Sequence, residues 1–313
     1  MRVVFMGTPD FAASHLKTLA ESNYNVIGVF SQPDRPSGRG RRLSPTPVKQ
    51  VAIEYGIPVF QPDTVNKGVG VAYLERLRPD LVITVAYGKL LRKRVIDLPV
   101  KGCYNVHASL LPKYRGAAPI QRALENGERE TGISIFRIDE GMDSGPIALK
   151  HAIAITPEDN FGTLIEKLEV LGCTMLKRFM ELAERDQVEL EPQNGELATL
   201  APKISPEDLE LKDFSSPSSV LNKIRAYDPL PGVRTSINGE PVKLFEAKRG
   251  NIEYQTSKKK EGEIIKIDAS GMIVSCGSGS VIISLVQFSG KKKIRPKDAL
   301  SGRLLREGLV LGG

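Results

Sequence analysis

Tryptophan is absent from this 313-residue chain, and cysteine and histidine occur three times each. Cys103, Cys173 and Cys276 are far apart and form no CxxC pair, which excludes a disulfide framework and a cysteine zinc site. All three read as reduced, mostly buried small hydrophobes. His15, His107 and His151 show no ligand-type spacing, so no metal is expected, and His15 and His151 read as ordinary surface or core residues. No stretch approaches the roughly 18–20 apolar residues of a membrane span. The run from Met1 to Met6 is too short for a secretory signal, so the chain is expected in the cytoplasm.

Hydrophobic residues make up 41% and charged residues 26%, proportions that exclude a wholly disordered chain. At this length about two domains are expected. The net charge of +7 is unevenly spread, since 18 Lys and Arg face 13 Asp and Glu between Pro206 and Gly313. That surplus suits an anionic partner for the C-terminal part, and it equally describes a solvated basic surface.

The first half alternates between strand and helix signals. Arg2 to Met6 and Tyr24 to Phe30 are strand-like, and Asp10 to Ala20 between them reads as a helix. Pro47 to Tyr55 and Val69 to Leu77 look helical, whereas Leu81 to Val85 and Gly102 to Val106 are apolar runs of buried-strand length. This order predicts a Rossmann-like, mostly parallel sheet, covered by a long helix from Asn160 to Leu182 with Leu164, Leu168, Leu171, Met175 and Phe179 at helical spacing. Residues 1–184 are read as this α/β domain. Residues 185–205 are polar and carry Pro192, Gly195 and Pro202, a linker composition. Within 206–313, a helix near Ser218 to Tyr227 precedes short strand candidates at 242–245, 262–267, 272–274 and 281–285. They predict a smaller β-barrel, OB-like, or a sandwich.

Chemistry concentrates at Gly102 to His107. Side chains alternate along a strand, so Asn105 and His107 point the same way at its carboxyl end, where open parallel sheets bind ligands. An amide and an imidazole there can both donate to an oxygen that turns negative during acyl transfer. Alone, the pair also fits a strand end with two hydrogen-bonded polar residues. Two neighbours add to it: the loop Ser109 to Gly116, punctuated by Pro112, and Gly141-Met142-Asp143-Ser144-Gly145, whose glycines let the backbone turn a carboxylate into a cleft. Ser109 and Cys103 have no base partner evident in sequence, which argues against covalent catalysis.

The stretches NVHASLLPKYRGAAPIQRAL and TGISIFRIDEGMDSGPI resemble the active-site region of the 10-formyltetrahydrofolate-dependent formyltransferases. The segments MGTPDFAASHL, SQPDRPSGRGRRLSPTPVK, LVITVAYGKLL, IRAYDPLPGVRT and PVKLFEA resemble the tRNA-acting members in particular. The resemblance covers nearly the whole chain and is weakest in the C-terminal strands and after Leu300. It implies transfer of a formyl group from 10-formyltetrahydrofolate to the amino group of initiator methionyl-tRNA; a monomer is the default expectation. Asn105, His107 and Asp143 would be catalytic. Ser109, Leu110, Leu111 and Pro112, with Tyr87 and Gly88, would contact the folate. The second domain would bind tRNA.

A neutral amine would attack the formyl carbon, and Asn105 with a charged His107 would stabilise the oxygen. Asp143 would favour protonated His107 and accept the amine's proton. Arg35, Arg39, Arg41 and Arg42 form a basic loop interrupted by Gly and Pro. With Lys258-Lys259-Lys260 and Lys291, Lys292 and Lys293 they offer cations to an RNA backbone, or else simply solvated turns. A small-molecule amine acceptor is the rival that the basic loop opposes, and a non-catalytic RNA-binding protein the one that the intact Asn105, His107 and Asp143 oppose. Many relatives carry Trp where this chain has Leu230 between two prolines.

Overall fold

The apolar run Val3 to Met6 is fully buried in β1 (Arg2–Gly7), because a strand covered on both faces needs apolar side chains on both. The computed structural model describes residues 1–22, 24–37, 42–250 and 259–312, the side chains of Ser37 and Arg42 excepted. After β1, α1 (Asp10–Glu21) buries Phe11, Ala12, His15, Leu16 and Leu19 along one helical stripe. β2 (Asn25–Phe30) then returns parallel to β1. A short antiparallel ribbon, β3 (Arg35–Ser37) with β4 (Arg42–Ser44), comes next. It is followed by α2 (Pro47–Glu54), β5 (Val59–Phe60), α3 (Gly68–Leu77), β6 (Leu81–Val85), α4 (Lys93–Ile96) and β7 (Cys103–His107). Then come β8 (Arg115–Gly116), α5 (Pro119–Glu125), β9 (Glu130–Arg137), β10 (Ile147–Ala154) and α6 (Phe161–Glu184).

The main sheet has the order β10-β9-β7-β6-β1-β2-β5. From β7 to β5 all neighbours are parallel, as the alternating signals predict. β9 and β10 add an antiparallel edge that the sequence reading did not assign. Their connection is too short for the crossover a parallel pair needs, so the two strands fold back as a hairpin. Leu168, Leu176 and Phe179 of α6 are buried, and the Phe179 ring lies 4.6 Å from that of Tyr104 on β7.

The chain divides into two compact units, one of residues 1–119, 130–154 and 165–202 and the other of residues 120–129, 155–164 and 203–313. The first also takes in β11 (Leu200–Ala201), paired in parallel with β8. The second contains α7 (Pro217–Ala226), β12 (Val233–Ile237), β13 (Glu240–Arg249), β14 (Ile264–Asp268), β15 (Gly271–Cys276), β16 (Gly279–Phe288) and α8 (Pro296–Ser301). Its antiparallel sheet has the order β12-β13-β16-β15-β14. The C-terminal tail bridges the two edge strands: Leu311 pairs with Ile237, Val310 pairs with Glu263, and the Gly312 N–H donates to Ser236 O at 2.9 Å. Pairing both edges removes exposed strand edges and makes the unit barrel-like. Among the described residues no helix is long and apolar enough to cross a membrane.

Candidate active site

Strand order reverses direction across β1 and β6, since β2 and β5 lie to one side of β1 while β6 and β7 lie to the other. Ligands of open α/β sheets bind outside the carboxyl ends of the strands at such a switch point. Here the loops after β1 and β6 are tied together, as Thr8 Oγ1 donates to Tyr87 O at 3.3 Å and Gln32 Nε2 donates to the same carbonyl at 3.1 Å. The Tyr87 ring points into the core and its hydroxyl is buried without a hydrogen-bond partner among the described residues. Burial pushes that phenol up to about 12. The segment therefore offers its main chain rather than its ring. Gly88 has φ 83° and open space where a Cβ would stand, which lets a flat group approach the backbone.

Asn105 and His107 lie at the end of β7 with the spacing of one strand face. The register pairs Thr84 of β6 with Asn105, and the Thr84 hydroxyl donates to Asn105 Oδ1 at 2.7 Å. That bond orients the amide. Its oxygen is engaged, and its Nδ2 has no protein partner among the described residues and serves as a donor. His107 is buried, and its Nε2 lies 2.9 Å from the carbonyl of Tyr114. A carbonyl only accepts, so Nε2 carries a hydrogen and Nδ1 is the nitrogen left for chemistry. Nδ1 faces Asp143 Oδ2 at 3.7 Å. This is longer than a hydrogen bond, so an entering oxygen can still be served.

Asp143 reaches this point from the β9–β10 connection. Its backbone is in the left-handed region at φ 52°, which Asp tolerates better than most residues. Its Oδ2 accepts the Gly116 N–H at 2.7 Å. Gly145 is obligatory beside it, since a Cβ there would stand 1.8 Å from Arg137 O. The fold thus brings together the amide, imidazole and carboxylate that the sequence singled out.

The Ser109 to Pro112 loop is pinned from below. Ser134 of β9 donates to Ser109 O at 2.7 Å and accepts from the Leu111 N–H at 3.0 Å, while Ser109 Oγ donates to Lys113 O at 2.7 Å. Ser109 and Leu111 are buried, and Leu110 and Pro112 stay partly exposed. Thr84, Ser134 and Gln193 were not singled out from sequence. Thr84 and Ser134 carried a signal, because each is a hydroxyl flanked by apolar residues in a buried run and must find a partner.

Cysteine plays no part in this geometry: Cys103 is buried on β7 and its thiol is pushed up to about 12 by that burial. The basic residues are less convergent. Arg35 is exposed on the ribbon, Arg39 and Arg41 lie outside the described residues, and so do the Arg42 side chain and Lys258. Lys291 and Lys292 are exposed. Lys293 is engaged: its ammonium lies 3.6 Å above the Phe245 ring and donates to Pro229 O at 3.0 Å. Next to Pro229, Leu230 projects with 73% of its surface exposed.

A mostly parallel α/β sheet with an amide and an imidazole at the carboxyl end of β7, one strand from the switch point, a carboxylate facing them and a barrel-like second unit suit a group-transfer enzyme that acts on an acyl carbon. The chain belongs to the formyl transferase family, whose model described as "Formyl transferase" matches residues 1–179 while "Formyl transferase, C-terminal domain" matches residues 203–304. It is 59% identical to "Methionyl-tRNA formyltransferase" of Kosmotoga olearia over 100% of both chains. The protein of the same name from Thermosipho melanesiensis is 50% identical over 98% of each chain. Among solved structures, the N-formyltransferase from Helicobacter canadensis in complex with folinic acid and dTDP-3-aminofucose aligns with TM-score 0.70 at 17% identity. It spans 90% of this chain and 97% of that one, a likeness of fold.

Proposed function

We propose that this enzyme transfers the formyl group of 10-formyltetrahydrofolate to the amino group of methionine on initiator methionyl-tRNA. The observation that carries the chemistry is the His107–Asp143 pair, 3.7 Å apart, beside an Asn105 amide whose nitrogen has no partner among the described residues. The acceptor follows from end-to-end similarity to methionyl-tRNA formyltransferases. The site residues fit a folate formyl donor: open main chain at Gly88 and partly exposed Leu110 and Pro112 suit a flat heterocycle, and Asn105 suits a carbonyl oxygen.

When bound, the donor supplies an electrophilic formyl carbon. Asn105 Nδ2 and protonated His107 donate toward its oxygen as negative charge grows during attack by the amine, so they bind the transition state more tightly than the ground state. Asp143 keeps Oδ2 on the Gly116 N–H and leaves Oδ1 to accept the proton that the amine loses; the bond from the formyl carbon to N10 of the donor then breaks, N10 takes up a proton in turn, and tetrahydrofolate leaves. Ser109 and Leu111, fixed by Ser134, set the height of the folate-contacting loop. Arg35, Arg39, Arg41, Arg42, Lys291 and Lys292 supply charge to the tRNA backbone, and the enzyme acts in the cytoplasm as a monomer.

The test is direct. Purified protein given 10-formyltetrahydrofolate should formylate charged initiator methionyl-tRNA and should leave a nucleotide-linked amino sugar untouched. Formylation of the sugar alone would overturn the acceptor assignment.

A further inference from the structure

Residues 191–201 have the composition of a connector, yet they are hydrogen-bonded along the rim of the site. Glu191 exchanges both backbone hydrogen bonds with Ile147, each at 2.8 Å, just past the Asp143 turn. Further on, the Arg115 N–H donates to Thr199 O and the Tyr114 N–H to Thr199 Oγ1, both at 2.9 Å. Leu200 and Ala201 then pair with Arg115 and Gly116. The approach is close enough that a Cβ on Gly116 would lie 2.6 Å from Ala201 O.

Gln193 stands at the centre of this strap. Its Nε2 donates to Asp143 O at 2.9 Å and to Gly145 O at 2.6 Å. Its Oε1 accepts from Arg115 Nε at 3.2 Å and Nη2 at 2.8 Å. The residue after Arg115 is Gly116, whose N–H holds Asp143 Oδ2. One side-chain amide thus closes a ring from the main chain of Asp143, through Arg115, back to the Asp143 carboxylate. Two carbonyls on one side and two guanidinium N–H groups on the other require two donors and one acceptor in a plane, which only a primary amide provides.

We propose that Gln193 is a positioning residue for the transfer reaction. It holds the Asp143 turn, whose backbone is at φ 52°, in the conformation that sets the carboxylate beside His107. It rests on the reading of Asp143 as the proton acceptor. Gln193 is partly exposed and sits outside the packed core, so its removal should disturb the turn more than the fold.

Two full-length variants test this. In Gln193→Glu the length, packing and link to Arg115 remain, but carboxylate oxygens face the carbonyls of Asp143 and Gly145 and repel them. Gln193→Met keeps the bulk and loses both sets of hydrogen bonds. Each should lower kcat about 10- to 100-fold, the scale of sub-ångström to ångström misplacement of a reacting group. The KM for 10-formyltetrahydrofolate should stay within about twofold, and melting curves and circular dichroism should match the parent. A purely structural role would instead lower Tm with kcat per folded molecule unchanged, and that result overturns the proposal. Asp143→Ala in the same assay separates the two readings. If it retains turnover, the assignment of Asp143 fails. If it loses turnover while both Gln193 variants keep theirs, only the positioning role of Gln193 fails.

Discussion

Thr84 donates its hydroxyl to Asn105 Oδ1 at 2.7 Å from the strand next to β7, and it is almost wholly buried at 5% exposure. Replacing it with Val removes the hydroxyl and keeps the branched shape, so strand and core packing should be preserved. The Asn105 amide is then free to rotate and present its oxygen where its nitrogen is needed. A hydrogen bond of this kind contributes about 1 to 1.5 kcal/mol net. At 1.36 kcal/mol per tenfold in rate, the expected loss in kcat is roughly 5- to 13-fold. Asn105→Ala removes the donor outright and should cost at least about 100-fold. Thr84→Ser keeps the hydroxyl and should stay within about twofold of the parent. Single-turnover formylation with saturating donor and charged tRNA measures the step, and a double-mutant cycle isolates the mechanism. In an Asn105→Ala background, Thr84→Val should add almost nothing, because there is no amide left to orient. A Thr84→Val enzyme with parental kcat, or one that loses activity equally in both backgrounds, would refute the reasoning.

His107→Ala and Asp143→Ala should each lower turnover at least about 100-fold in proteins that still melt cooperatively, as measured by formylation rate and calorimetry. Burial lowers His15 to about 4, so the unfolded chain binds a proton below about pH 6.5 that the native state refuses. Its contribution to stability is therefore present above that pH and lost as pH falls toward 4, and His15→Leu should flatten Tm against pH in that window. Asp208 is held well below the usual carboxylate range, first by the Arg122 guanidinium at 2.7 Å and then by the Ser205 N–H. Its contribution is complete above about pH 4 and declines under more acid conditions, a decline that Asp208→Asn should lessen in acid melts. Replacing Arg39, Arg41 and Arg42 with Ala should reduce activity on charged tRNA and flatten its dependence on salt, because fewer counterions are released on binding. Parallel salt curves at equal activity would make that loop a solvated excursion.

Much of the fold was legible because its signals are local. Apolar runs such as Val3 to Met6 and Leu81 to Val85 are long enough for strands and too short for helices, and they became β1 and β6. A period of two puts Asn105 and His107 on one face whatever the rest of the chain does. The glycines on either side of Asp143 announced a turn, and at Gly145 a Cβ would stand 1.8 Å from Arg137 O. What tertiary structure alone decided is which distant residues meet. Sheet order and register set Thr84 opposite Asn105 and bring Ser134 under the Ser109 loop. Hairpin return, not sequence proximity, carries Asp143 to His107. Composition made 185–205 a connector, since nothing local tells a polar strand that pairs with a neighbour from one that faces water. Lys293 likewise reads as one more surface cation until Phe245 and Pro229 are found beneath it. A hydrogen bond between residues far apart in sequence has no periodicity to betray it. It exists only once burial has fixed both partners in place.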